Sequence, residues 1–228
     1  MTSTQESTPG VAPGVGPIAL VMDVDSTLIQ DEVIELLAEH AGTREEVARV
    51  TESAMRGELD FAQSLRARVA LLEGLEESVL EQVREALVPT DGALELVARA
   101  RAAGWVTALV SGGFHEVIDP LAARAGIDHV VANRFEIRQG RFTGEVLGPI
   151  IDGTAKLRTL QQLSERYGVP ASRVVAIGDG ANDRQMLEAA GVGIAFRAKP
   201  ALREVADAVI DSRSLLDAWE HLEGVRVG

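Results

Sequence analysis

The chain has 228 residues, 46% hydrophobic and 25% charged, an ordinary globular composition with enough length for a substantial core in one or two domains. Its net charge of −13 argues against nucleic acid or an anionic membrane surface as the main partner, because either requires a basic footprint. Without cysteine it can form neither a disulfide framework nor a thiolate ligand or nucleophile, which agrees with a cytoplasmic setting.

Residues 1–16 lack the basic start and apolar core of a secretory signal or membrane anchor and read as a flexible tail. No apolar run is long enough to span a bilayer. Residues 18–22 form a short apolar run that reads as a buried strand. It ends in Asp23-Val24-Asp25-Ser26-Thr27, two carboxylates two residues apart at the strand edge where open α/β sheets bind ligands. Two acids there need a cation or a proton; the same residue types also suit a turn that caps the following helix.

Residues 31–88 carry helical apolar spacing at Val33, Leu36, Leu37, Val47, Val50, Phe61, Leu65, Leu72, Val79, Leu80, Val83 and Leu87. No strand is expected there, so the segment reads as a helical cap inserted between two strands of a core made of 17–30 and 89–228. Pro89-Thr90-Asp91-Gly92 breaks the pattern before a helix at 93–102 and a strand at 106–110. That strand leads to Ser111-Gly112-Gly113, read as a turn whose hydroxyl and open amides suit an anion.

The rest alternates. Strands are expected at 129–132, 174–177, 192–196 and 208–210, and helices at 157–166, 184–190 and 215–222. A hairpin around Gln139-Gly140 is expected beside the main sheet. Such alternation gives an α/β fold, a doubly wound and mostly parallel Rossmann-like sheet with helices on both faces and the inserted helical cap. Lys156, one of two lysines in the chain, opens the 157–166 helix and offers phosphate a point cation. The strand at 174–177 runs into Gly178-Asp179-Gly180-Ala181-Asn182-Asp183, again acids at a carboxyl edge.

Each piece has a plainer reading: Ser-Gly-Gly is often only a turn, and a lone lysine on a helix is usually solvated. The glycines of 178–180 are not a dinucleotide fingerprint, since Asp183 occupies the third glycine's place and acids would face a pyrophosphate. Taken in order, strand-DxDxT, strand-SGG, Lys and strand-GDGxND would bring four loops to one edge of one sheet.

This ordered set resembles the haloacid dehalogenase superfamily of phosphotransferases from about residue 18 to the last helix, and within it the phosphoserine phosphatases. The closer match is carried by Asp23 to Glu32, Met55, Gly57, Phe61, Ser64, Leu65, Arg68, Val69, Ser111 to Phe114, and Gly178 to Asp183. The resemblance implies magnesium, held by the side chains of Asp23 and Asp179 and the backbone carbonyl of Asp25, with Asp183 acting through a water or by orienting Lys156. It implies Asp23 as nucleophile, Asp25 as general acid and base, and Ser111, Gly112, Gly113, Lys156 and Asn182 around the phosphoryl group. Thr27 would support Asp23. Some members carry an amino-terminal regulatory domain, which the few residues before the first strand are not expected to form.

Substrate choice is expected from the cap. Phe61, Leu65, Arg68 and Leu72 follow helical spacing, so Arg68 falls in an apolar stripe, where its head either snorkels to water or forks toward a carboxylate. Glu32 alone suits a helix start. By resemblance it meets a substrate ammonium, Arg68 the α-carboxylate, and Met55 and Phe61 shield the site. The expected substrate is a small phosphomonoester, phosphoserine. The alternatives are transfer of its phosphoryl group to homoserine, hydrolysis of another small phosphomonoester, or a non-catalytic phosphoamino-acid sensor, which the presence of every reacting residue disfavours.

Overall fold

The computed structural model describes residues 18–222, so the tail expected at 1–16 lies outside the described residues. Among these residues seven strands form one sheet: β1 (Ala19–Met22), β2 (Val106–Phe114), β3 (His129–Arg138), β4 (Arg141–Leu147), β5 (Val174–Gly178), β6 (Val192–Phe196) and β7 (Ala208–Ile210). Their order is β4-β3-β2-β1-β5-β6-β7. Every neighbouring pair is parallel except β3 and β4. β1 lies in the middle, with all four residues buried, because a parallel strand covered on both faces must be apolar throughout.

Among the described residues ten α-helices accompany the sheet: α1 (Val33–Ala41), α2 (Arg44–Met55), α3 (Phe61–Ala70), α4 (Val79–Ala86), α5 (Ala93–Ala102), α6 (His115–Ala125), α7 (Gly153–Tyr167), α8 (Arg184–Ala189), α9 (Pro200–Arg203) and α10 (Ala218–His221). Strand alternation splits the core in two. Leu20, Met22, Leu109, Val175, Ile177 and Ile194 face one side, with Leu96 of α5 and Val117 of α6. Ala19, Val21, Ala108, Val110, Ala176 and Ala195 face the other, with Leu160 of α7, Met186 of α8 and Leu202 of α9. Each large apolar side chain so buried contributes about 1.5–3 kcal/mol. No helix among the described residues is long and apolar enough to cross a membrane.

Two local readings are corrected by pairing that sequence period does not reveal. The strand expected at 106–110 continues through Ser111-Gly112-Gly113, which is a bulge and not a turn: Val110 pairs with Val131, and pairing resumes only at Phe114 with Asn133. Four residues of β2 advance while β3 advances two, so the surplus backbone swells toward the ligand edge. The hairpin at Gln139-Gly140 does not stand beside the sheet, because its first arm is the continuation of β3 and β4 forms the sheet's edge. Gln139 and Gly140 both have positive φ (51° and 72°), the backbone of a two-residue hairpin turn.

Helix α6 was not among the expected helices, and it contains Pro120, which cannot donate to the Glu116 carbonyl four residues earlier. Arg84 of α4 takes that carbonyl instead, its Nε donating at 2.8 Å. The helices α1–α4 fall between β1 and β2, and this bond ties the last of them to the sheet's own helices. The crossing strands of chain form a second tie: Gln30 N–H donates to Val88 O, and Thr90 N–H to Leu28 O, both at 2.9 Å. A third runs to the hairpin, where Gly74 N–H donates to Phe142 O, Phe142 N–H to Leu75 O, and Glu77 N–H to Gly140 O.

The Arg84 contact gives a double-mutant test. Arg84→Met should cost about 1.5–3 kcal/mol in urea unfolding, the range for a charge-assisted hydrogen bond. Pro120→Ala restores an N–H able to bond Glu116, so in the Arg84→Met background it should recover stability well beyond its effect alone. Strict additivity would mean that the bond contributes nothing.

Candidate active site

Three strand ends and one helix meet at one edge of the sheet. Asp23 follows β1, the 111–114 bulge ends β2, Asp179 and Asp183 follow β5, and Lys156 reaches in from α7, whose amino terminus is capped by Asp152 accepting the Ala155 N–H. Lys156 is fully buried, not solvated, with its ammonium 2.8 Å from Asp23 Oδ2 and 2.6 Å from Asp183 Oδ1. Burial opposes the lysine's charge, but the Asp183 and Asp23 carboxylates outweigh it and hold its pKa above the usual range.

Asp183 is fully committed. Its Oδ1 accepts from Lys156, and its Oδ2 accepts the amides of Asp179 (3.2 Å) and Gly180 (3.1 Å). Gly178 makes this possible, since a Cβ there would stand 2.4 Å from the Asp183 carboxyl carbon. Asp23 accepts the Val24 N–H at 2.7 Å with Oδ1 and meets Lys156 with Oδ2.

The carboxylates of Asp23, Asp179 and Asp183 offer oxygens all within 4.8 Å of one another. Three acids beside one lysine leave an excess of buried negative charge. Burial and the Asp183 charge push Asp23 well up, and burial with Asp183 and Glu32 lifts Asp179 to about 7. A hard dication with oxygen ligands fits this donor set, and its charge would bring both carboxyls back down. Asp183 therefore belongs with the oxygen cluster as well as with Lys156.

A pocket of about 120 Å³ opens above these acids, lined by Asp23, Asp25, Glu32, Phe61, Arg68 and Gly112, among others. Asp25 projects into it and accepts the Val33 N–H at 3.3 Å. Burial, then the Glu32 charge, raises its pKa to about 8, so near neutral pH it holds a proton. Gly113 leaves room for it, because a Cβ at that position would lie 2.9 Å from Asp25 Oδ2. Asn182, Asp179, Gly180 and Gly113 also line the pocket.

On the insert's side, Glu32 precedes α1 and accepts a 2.7 Å hydrogen bond from Ser26 Oγ. Arg68 reaches in from α3, its Nε donating to Ser64 O at 3.3 Å. Burial draws the Arg68 pKa down while the Glu32 and Asp25 charges pull it up. Phe61 opens α3 behind a capping box in which Asp60 accepts from Gln63, and its ring lies over Gly112.

Some expected residues lie elsewhere. Met55, at the end of α2, is 70% exposed and is not among the pocket-lining residues. Thr27 is buried, yet its hydroxyl makes no hydrogen bond among the described residues, to Asp23 or otherwise. Ser111 is buried behind the pocket, its Oγ accepting the Gly113 N–H at 2.8 Å, so it shapes the bulge. Two residues were missed. Asn133 holds the bulge, donating to Gly112 O at 2.8 Å and accepting from Ile151 N–H at 2.9 Å; a buried polar amide in an apolar strand was its only signal. Lys199 also lines the pocket, and its signal was the rarity of lysine in the chain.

The haloacid dehalogenase-like hydrolase model matches residues 20–188, which include every residue of this site except Lys199. The chain belongs to that family. It is 53% identical over 206 residues to the phosphoserine phosphatase of Streptomyces coelicolor, covering 90% of this chain and 50% of that one. It therefore spans about half the length of that relative. It is also 46% identical over 204 residues to the phosphoserine phosphatase of Lactococcus lactis, covering 90% of this chain and 94% of that protein. A solved structure described as a phospho-aspartyl intermediate analogue of phosphoserine phosphatase superposes with a TM-score of 0.87 at 38% identity, covering 91% of this chain and all of the other. The hydrolase family's open sheet accounts for the convergence of these loops.

The raised carboxyls set the sign of a pH dependence. With folded-state values of about 7 for Asp179 and about 8 for Asp25, against 3.8 unfolded, the folded chain holds protons that the unfolded chain has released. In excess chelator, stability should therefore fall as pH rises from about 4 to about 8. A dication binds the ionised carboxylates, so magnesium should raise the melting temperature more at pH 8.5 than at pH 6. An equal or smaller gain at pH 8.5 would mean that these acids do not hold the ion.

Proposed function

We propose that the chain is a magnesium-dependent phosphoserine phosphatase, hydrolysing O-phospho-L-serine to L-serine and phosphate in the final step of L-serine biosynthesis. The observation that carries this reading is that Arg68 and Glu32 line the same small pocket as Asp23 and Asp25. A guanidinium fork suits an α-carboxylate, a carboxylate suits an α-ammonium, and the paired acids suit the phosphate end. The names of the relatives agree with it. On this reading residues 31–88 are a specificity cap over a core of 17–30 and 89–228.

Magnesium bound by Asp23, Asp179 and the Asp25 carbonyl would neutralise phosphate charge and hold the ester in place. Asp183 fixes Lys156 and the 179–180 amides around it. Asp23 attacks phosphorus, forming an aspartyl phosphate as the bond to the seryl oxygen breaks. Asp25, protonated, gives its proton to that departing oxygen and then takes one from the water that attacks the aspartyl phosphate. Lys156, Asn182 and the Gly112 amide stabilise the phosphoryl oxygens as their charge redistributes, while Ser111 holds the Gly113 N–H and with it the shape of the bulge. Phe61 over the Gly112 bulge keeps bulk water from the phosphoryl group.

Phosphate release from phosphoserine, measured against a panel of phosphate esters with and without magnesium and with homoserine as an alternative acceptor, tests the whole reading. Phosphoserine should lead the panel, and chelation should abolish turnover. Arg68→Ala should lower kcat/KM for phosphoserine about ten- to a hundredfold while sparing a simple aryl phosphate, since it removes a charged partner worth roughly 1.5–3 kcal/mol. Equal loss on both esters would assign Arg68 to folding.

The two acids of the first motif should separate by leaving group. Asp25→Asn keeps the nucleophile and removes the proton carrier, a loss of about 10²–10⁴-fold where a proton must move. Nitrophenolate departs without a proton, and a seryl alkoxide does not. Rapid mixing of Asp25→Asn with nitrophenyl phosphate should give a burst approaching one nitrophenolate per site and then stall, whereas Asp23→Asn should give none. A folded, metal-binding Asp25→Asn with no burst and equal losses on both esters would refute this division of labour.

A further inference from the structure

Lys199 stands outside the segment that the family comparison matches, yet it faces the same pocket. Strand β6 lies beside β5, with Ala195 paired to Gly178, so the chain leaving β6 emerges next to Asp179. Arg197 there has φ of 47°, a left-handed backbone that a non-glycine residue adopts at some cost. That bend buries Ala198 and brings the Lys199 N–H to the Asp179 carbonyl at 3.1 Å. Lys199 also precedes α9, with Pro200 fixing the first helical residue, so its backbone is held from both sides.

Residue type adds a second observation. Of 22 cationic residues in the chain only Lys156 and Lys199 are lysines, and both stand at this site. Arginine serves as the cation everywhere else. A compact ammonium on a flexible stem suits a point contact with a carboxylate or phosphate oxygen, where a broad fork does not fit. The pocket lining carries four acids, Asp23, Asp25, Glu32 and Asp179, against Arg68 and Lys199. Arg68 enters from α3 on the insert, whereas Lys199 enters beside Asp179, whose carbonyl its backbone N–H meets.

We propose that Lys199 is a positioning residue that acts through Asp179: its ammonium loosens the carboxylate cluster's hold on its dication and strengthens the pocket's hold on phosphate. The proposal rests on the phosphate-ester reading of the site. The two effects have opposite signs because the dication and the phosphate have opposite charges, whereas a residue that merely supported the fold would weaken both. In a chain of net charge −13, a cation at the mouth of the pocket also favours arrival of an anionic ester.

The test uses Lys199→Met and Lys199→Gln, with Lys199→Arg keeping the charge. Magnesium is titrated calorimetrically into each protein, and inorganic phosphate into each magnesium-loaded protein. One unit charge near partly solvated ligands changes binding by about two- to tenfold. Both neutral variants should bind magnesium tighter and phosphate weaker by that factor, with KM for phosphoserine raised likewise and kcat little changed. Lys199→Arg should return both affinities toward the native values. Unchanged affinities in folded neutral variants, parallel weakening of both ligands, or a fall in kcat alone would each overturn the proposal. Native turnover of phosphoserine is scored separately, so a wrong ester would fail there while the magnesium and phosphate titrations still judge Lys199.

Discussion

The arrangement depends on one buried ammonium. Lys156 has no exposed surface, and taking a charge out of water costs several kcal/mol unless close partners repay it. Asp23 at 2.8 Å and Asp183 at 2.6 Å repay it, so α7, β1 and the loop after β5 are locked together by the charge they share. Removing one member of such a group typically costs 3–5 kcal/mol, because the others stay buried and unpaired. The glycine at 178 follows from the same constraint, since Asp183 can reach both the lysine and the 179–180 amides only where no side chain intervenes.

The parallel sheet explains why the other parts arrive at the same place. Every crossover returns the chain to the amino end of the next strand, so the ends of β1, β2, β5 and β6 all open on one edge. β2 swells there through its bulge, held by Asn133, and Gly113 leaves room for Asp25. The α1–α4 insert is seated over that edge by backbone bonds at its crossing, by the ladder to the hairpin, and by Arg84 on the carbonyl that Pro120 leaves open. Those ties set where Glu32, Phe61 and Arg68 stand relative to the acids.

Charge is the site's other theme. A chain of net charge −13 repels any anion at long range, so attraction of one has to be local. Lys156 beneath the acids, Arg68 on the insert and Lys199 at the mouth surround the pocket from three elements, and a dication would supply the rest. The excess of carboxylate over ammonium fits a site that gathers further positive charge.

The sequence by itself determined the strands buried on both faces and the chemistry at their ends. β6 and β7 and helix α5 have the bounds that apolar runs and the 93–102 periodicity indicate, and Asp23, Asp25, Asp179 and Asp183 were legible as acids ending strands. Both signals are local, because a covered strand must be apolar along its length and a ligand edge must follow it. Tertiary structure alone decided the rest. Pairing between distant strands made 111–114 a bulge and carried β3 into the hairpin, and α6 became legible only once Arg84 compensated its proline. Packing between elements far apart in sequence turned Lys156 into a buried hub, whereas Met55 stays in solvent and the buried Thr27 hydroxyl has no hydrogen bond among the described residues. Period and composition report what one residue needs of its own segment, whereas burial, register and charge balance depend on which segments meet.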